Sequence, residues 1–507
     1  METRLTIPAI LILAAAPCRA AVPPADSLAA STVEHRSPMA QLRSKVFGNP
    51  SMQSLRFKTS LNAVYAQYSY ADATSPVRLE YGTGHSIGAG HMDAYLHKGK
   101  ATLWGQADYV NGRTRDIRFC ESSDFDVIAP YAMADTVGGT TRHETCHFMG
   151  GFSWPVGRFN IGAEGEYTAV MAYRTKDPRP KNLTGDLRAK VGASYLLTDS
   201  SLAGIALSAR KYKQTNEVEI YNEVSMPVIY HLTGLGMDYY RFRGDYTGTY
   251  YNGWAWGGMA TFTKRDNQGL FAHAGYERSD IDKIISSLNQ LPMSTLVTHD
   301  ASTVIGYSLD CGRASYGAAA FADVEVRNGT ENVFGTAQDN IFPKIAAATQ
   351  YRQQVWRAGA QAVWQQAVQR GNGYALSLKA AYASHDERYL EPRRRMKASA
   401  LQTALGIDGH AVTGRFLLTG RLSGQHEWAL SHSLSLPDGV GQDAMLTPVR
   451  HYYTYLSAHR WQTVCQAEAA WQAGTGFMPY VSFAWQYRSY AGAAHSNQLE
   501  VNAGVRF

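Results

Sequence analysis

The ten residues Gln498–Phe507, QLEVNAGVRF, alternate without a break. Leu499, Val501, Ala503, Val505 and Phe507 are apolar, and Gln498, Glu500, Asn502, Gly504 and Arg506 are polar or small. A period of two is the strand period, because successive side chains point to opposite faces. The pattern recurs at 158–171, 186–197, 373–384 and 479–488, and again at 55–65, 101–109, 312–327, 355–366 and 461–472. Strands of soluble domains average about 5–6 residues, whereas these segments are longer and match a tilted bilayer crossing of about 9–11 residues. Their apolar stripe is rich in Ala, Gly, Leu, Val and Tyr. Such a stripe suits lipid, which demands low polarity and not interlocking shapes.

Helices do not supply an alternative. Only 18% of residues are charged, yet mean hydropathy is −0.29, and no stretch after the first twenty residues approaches the length of an apolar spanning helix. The links between segments fall into two classes. Short ones such as HKGK (97–100), TDSS (198–201) and KRDNQG (264–269) read as turns. Long ones fall near 113–143, 214–247, 280–295, 328–352 and 425–447. Short turns at one end and long loops at the other are the layout of an outer-membrane barrel. The expected fold is therefore all-β: a transmembrane antiparallel β-barrel of about 16 strands, within limits of 14 and 18. Its last strand pairs with the first near 55–70, since an open edge is not tolerated in hydrocarbon.

The terminal aromatic Phe507 resembles the C-terminal signature of bacterial outer-membrane barrels. That resemblance implies recognition by the barrel-insertion machinery, residence in the bacterial outer membrane and contact with its lipid. Residues 1–20 (Arg4, an apolar run from Leu5 to Ala16, then small residues) form an expected signal peptide. Residues 21–54 form a periplasmic arm or short lumen insert, and 55–507 the barrel. The arm is too short for the plug of a TonB-dependent receptor, so the chain most resembles plugless barrels of Bacteroidetes from an uncharacterised family. Gly48-Asn49-Pro50-Ser51-Met52 is weakly similar to the Asn-Pro-Ala segment ahead of the barrel in fatty-acid-transporter-like proteins.

Mid-strand charges on the polar stripe mark an expected wet lumen: Asp108, Glu164, Glu166, Arg188, Lys190, Lys379, Glu468, Arg488, Glu500 and Arg506, with Arg56 and Lys58 just ahead of the first strand. Both signs occur, which argues against strong ion selectivity. Cys120 and Cys146 flank a long link and are candidates for a disulfide across a loop base. The aromatic run that includes Tyr239, Tyr240, Tyr250, Tyr251, Trp254 and Trp256 is a candidate loop platform for a ligand, or a girdle with loop packing. His143-Glu144-Thr145-Cys146-His147 matches HExxH, but on a strand the two histidines would lie about 13 Å apart. Gly84-His85-Ser86-Ile87-Gly88 matches GxSxG without the following helix that a nucleophile elbow needs. No catalytic residue, metal or cofactor is expected. The longest basic run, Arg393-Arg394-Arg395, is too short to suggest nucleic acid. The function expected is a channel or facilitator for a small solute. The alternatives are an accessory or assembly subunit of an outer-membrane uptake complex, bound to another outer-membrane protein, and a barrel-embedded hydrolase.

Overall fold

The computed structural model describes residues 25–507 except 223, 225, 226, 245–247, 338, 340, 367–371, 438–443, 474, 475 and 491–493. The expected signal peptide lies outside the described residues. Eighteen antiparallel strands form one closed sheet. In chain order they begin Leu61–Ala73, Gly84–Lys98, Ala101–Ile117, Gly139–Val156, Phe159–Arg174, Arg179–Leu196 and Ser201–Glu219. They continue Gly248–Lys264, Gly269–Ile285, Leu291–Asp310, Ala314–Phe334, Lys344–Gln366 and Gly373–Tyr389. The last five are Arg394–Thr413, Phe416–Ser435, Arg460–Trp471, Met478–Tyr490 and Ala494–Arg506.

The alternating tail closes the ring. Ala63 pairs with Arg506, Tyr65 with Gly504 and Tyr68 with Val501. The Asn62 amide donates to the Phe507 carbonyl at 2.9 Å, and the Phe507 amide donates back to Asn62 at 3.0 Å. No backbone edge is left for lipid to meet.

The count of 18 replaces the expected 16. The strands run well beyond a membrane crossing, up to the 23 residues of Lys344–Gln366. Outside the bilayer both faces turn polar and the alternation fades, while the ladder continues. Thus 280–295 is no long link: strands Gly269–Ile285 and Leu291–Asp310 take up most of it. The stretch 76–96 holds one short turn and a single strand, and 404–434 is two strands joined at Gly414-Arg415.

Exposure alternates along the walls. Ile205, Leu207, Val191, Ile305 and Leu378 point outward and are more than half exposed, while their strand neighbours face a polar interior. The outward belt carries Trp254 and Trp256, Tyr276, and Trp356 beside Tyr382, aromatics placed as in the girdles of membrane barrels.

Both ends of this cylinder are obstructed. At the short-turn end, helices Ala25–Arg36 and Pro38–Leu42 and the 3-10 turns Val46–Gly48 and Pro50–Leu55 lie inside the wall. At the long-loop end, the connection 118–138 and the described parts 227–244 and 444–459 of two others fold over the lumen. The first two share a small sheet in which Met133–Ala134 pairs with Tyr230–Gly234.

Candidate functional site

The lumen between these obstructions is the candidate site. Its inner floor is the segment 25–57. Pro38 opens the second helix, and the Ser37 hydroxyl caps it by accepting from the Met39 amide at 3.2 Å. That turn presents Met39, Leu42 and Val46 to Phe271, Val304, Phe321 and Val363 of the wall. Next comes Asn49, fully buried. Its side-chain oxygen accepts from the Ser51 amide at 3.0 Å and from the Ser51 hydroxyl at 2.9 Å. Its amide nitrogen donates to Thr261 Oγ1 at 3.1 Å.

Three wall glycines make room for this turn. Gly162 pairs directly with Gly192 on the next strand, and Gly204 follows on the strand after that. A Cβ on Gly162 would come within 2.5 Å of Pro50, and one on Gly192 within 2.2 Å of the Asn49 side chain. The Asn-Pro segment is thus seated in a groove that only side-chain-free positions leave open.

Charged groups fasten the segment at its flanks. Arg506 holds Glu468 with two contacts of 2.7 and 2.8 Å, and Arg36 reaches the same carboxylate at 2.8 Å. Lys45 pairs with Asp323, which Arg357 also contacts at 3.1 Å. At the mouth, Arg56 lies over the Phe57 ring, and Arg56 and Lys58 line a cavity of about 690 Å³ between the segment and the turns.

Above this floor is a chamber of about 570 Å³ whose lining includes Met259, His273, Glu277, Asp300, Asp323 and Glu325. Two of its wall residues touch the inner segment: Asp323 through Lys45, and Met259 beside Gly48. A second cavity of about 240 Å³ lies among the outer loops and shares Glu325 and Val355 with the chamber. Arg78, Glu80, Asp126 and Glu387 line it. Burial pushes the Glu80 carboxyl up from its ordinary value, with Arg78 pulling the other way.

The outer loops are held by buried charge. Arg174 contacts Glu121 at 2.9 Å and Asp135 at 3.2 Å, and all three side chains are essentially inaccessible. Asn182 and Asn216 both donate to the Glu121 carbonyl, at 2.9 and 2.7 Å. Tyr251 Oη donates to the Tyr131 carbonyl at 2.9 Å. Helix Leu446–Ser457 packs on Tyr389, Met396 and Ala398, with Arg78 stacked 3.4 Å from the Tyr452 ring centroid.

The remaining residues of the sequence reading find these places. Asp108 sits between two imidazoles, His91 at 2.7 Å and His147 at 2.8 Å, and His147 continues to Glu166 at 3.3 Å. Glu164 bridges Lys190 at 2.7 Å and Trp104 Nε1 at 2.9 Å. Arg188 meets Glu277 at 3.3 Å, and Lys379 lies over the Phe321 ring. Arg488 donates to Gln462 at 3.3 Å, and Glu500 accepts from Asn502 at 3.0 Å. The chamber residues Glu277, Asp300, Asp323, Glu325 and Arg357 went unnoticed in the sequence, although alternation within 269–285 and 291–310 marks the first two.

Other expectations fail on geometry. Cys120 and Cys146 are free thiols. Cys120 is buried under loop 118–138, where burial pushes its thiol up to about 12, while Cys146 sits on a strand opposite Tyr109 and Ala169, with its inward neighbour His147 on the other face. The aromatic run forms no platform, because period two splits it. Trp254 and Trp256 stack on the outside with centroids 6.0 Å apart. Tyr250 shares their face, and Tyr251 is buried inside. Tyr239 packs with Phe242 in a loop, and Tyr240 is exposed there. The HExxH match lies wholly on strand Gly139–Val156, with His143 and His147 on the face opposite Glu144. Ser86 of the GxSxG match lies on strand Gly84–Lys98, on the face opposite His85, and no helix follows it. Neither has the arrangement its chemistry requires.

A closed antiparallel barrel with an apolar exterior and an ion-paired interior is a membrane barrel of the outer-membrane type. A family model described as a family of unknown function (DUF6850) matches residues 50–507, and the chain belongs to that family. No curated protein matches it. Among solved structures it is similar to BauA, the ferric preacinetobactin receptor from Acinetobacter baumannii, with 11% identity over 88% of this chain and 79% of that one and a TM-score of 0.43. It is also similar to the copper transporter OprC, with 7% identity over 87% and 80% of the two chains and a TM-score of 0.37. The CymD monoaromatic hydrocarbon channel gives 8% identity over 94% and 92%, with a TM-score of 0.33. At such identities the likeness is one of fold.

Proposed function

We propose that this barrel passes a small polar solute through the central chamber, with residues 25–57 acting as the closure on the inner side. One observation carries the reading: Lys45 of the inner segment pairs with the chamber residue Asp323, and Gly48 lies beside the chamber residue Met259. Moving that segment would therefore open the chamber to the periplasmic mouth. The shared wall at Glu325 and Val355 supports a route from the outer cavity to the chamber. The chamber's carboxylates are matched by cations, Glu277 by Arg188, Asp323 by Lys45 and Arg357, and Glu325 by Arg327, so the solute class favoured is a polar one with no strong charge preference. Purified protein in planar bilayers tests this. Current that rises when 25–57 is removed supports the passage; silence in both forms at all voltages and solutes rules it out.

A second reading, an accessory subunit of an uptake complex, has its own support. Tyr221, Val224 and Tyr240 on the outer connection 220–247 are all more than 60% exposed, as a docking surface would be. Co-purification of a partner from native membranes, lost on replacing Tyr240 by Ser, distinguishes it.

A further inference from the structure

Most outward charges of a membrane barrel are scattered, but one group here is concentrated. Arg352 lies directly opposite Arg388 across one strand pair, and Arg388 lies directly opposite Arg395 across the next. Lys397 follows one outward position further along, opposite Asp386. All four point away from the lumen, since the alternating residues Tyr351, Tyr389, Arg394 and Met396 are buried inside. The group stands at the long-loop end: the second and third strands of the set turn around between Tyr389 and Arg394.

Like charges placed directly opposite on a sheet repel. A single carboxylate answers them. Asp386 takes Arg388 at 2.5 and 3.0 Å and Arg395 at 2.7 and 3.0 Å. These bonds use Nε and Nη2 of each guanidinium, which holds the two planar groups side by side with donors left over. Arg352 and Lys397 are exposed and make no ion pair among the described residues. Their other strand neighbours, Asn328, Ser433 and Ser435, bring no negative charge. Toward the membrane the same face becomes apolar: Trp356 and Tyr382, with ring centroids 4.9 Å apart, then Leu401 and Trp428. Cations with spare planar donors thus stand immediately above an aromatic belt, at the depth of lipid headgroups.

We propose that Arg352, Arg388, Arg395 and Lys397 bind the phosphates of an anionic, doubly phosphorylated glycolipid in the outer leaflet, whose acyl chains lie along Trp356, Tyr382, Leu401 and Trp428. Guanidinium forks match phosphate oxygens bidentately, and the acyl contact distinguishes a lipid from a free anion.

The test uses full-length protein in nanodiscs of zwitterionic lipid doped with lipid A, compared with the same lipid stripped of its phosphates. Retained lipid is measured by mass spectrometry after detergent exchange. The expected result is preferential retention of the phosphorylated form, weakened at least about tenfold in R352Q/R388Q/R395Q, since each basic side chain near an anionic surface contributes several-fold. K264Q/R265Q, at the opposite end, retains lipid as the parent does. R352Q/K397Q leaves the Asp386 pairs intact, so it folds even if the triple variant does not, and it loses part of the retention. Equal retention of the two lipid forms, or no loss in either variant, overturns the proposal. Competition by inorganic phosphate as effective as that by the lipid would show a free-anion site, and it overturns the lipid assignment.

Discussion

The two ends of the lumen are closed by different physical means. The inner closure is one continuous segment that runs into the first strand at Leu61. It is seated on glycines, with methionine and leucine against apolar wall positions, and its ion pairs are partly exposed: Arg36 and Lys45 keep about half and two-fifths of their side-chain surface. The outer closure is three loops, each anchored at both ends; two of them pair by strand hydrogen bonds, and one of these, 118–138, is pinned by the inaccessible Arg174–Glu121–Asp135 group. A seat made of shape and exposed charge can be left and refilled. A buried ionic knot cannot be opened without stranding charges away from water. Under the proposed passage of a solute, the difference gives movement to the inner segment and selectivity to the outer loops and the chamber below them.

The largest expected effect is on the outer side. Arg174→Met leaves Glu121 and Asp135 buried without a cation, and breaking such a group costs about 3–5 kcal/mol. Hydrogen exchange at 119–135 should accelerate while 39–53 stays protected; acceleration at both ends would mean that the two closures are coupled. Next is the seat itself. Gly192→Val forces atoms into the Asn49 site, an overpacking cost of about 1–3 kcal/mol, and should expose 25–57 to added protease with the barrel intact. Unchanged proteolysis would remove the glycine groove from the explanation. Lys45→Met should shift the same proteolysis only slightly, because an exposed pair contributes about 0–1 kcal/mol.

The smallest effect is a pH dependence. Burial lowers the His35 pKa below its ordinary 6.5, with the hydrogen bond to the Thr59 carbonyl opposing it. A base lowered on folding binds its proton more readily in the released state, so the seating of the segment is undiminished above pH 6.5 and weakens as pH falls below it. His35→Phe, which keeps a ring against Phe57, should flatten that slope in a titration of protease sensitivity.

Much of this was legible in the chain. Alternation separates the two faces wherever a strand crosses lipid, as Glu164, Lys190 and Arg506 illustrate, and it implied that the terminal strand pairs with the first near 55–70. Legibility stopped where the solvent on the two faces became the same. Around Arg278-Ser279-Asp280 and Thr330-Glu331-Asn332 both faces are polar, so strand and loop look alike and the links near 280–295 and 328–352 read longer than they are. Period two also separates Tyr251 from Trp254 and Trp256; reading them as one aromatic run ignored it. The seat was hidden for another reason. Gly162, Gly192 and Gly204 look like weak points in three strands, and nothing local shows that they face one buried Asn49-Pro50 turn more than a hundred residues away.

Single-channel recording of the intact chain against a form lacking 25–57 tests the assignment of movement most directly. An inner closure seated on glycines predicts a mostly silent intact protein with rare openings, and steady current once the segment is gone. Identical traces from the two forms would contradict it, because the lumen would then be sealed or open without regard to the segment that fills its floor.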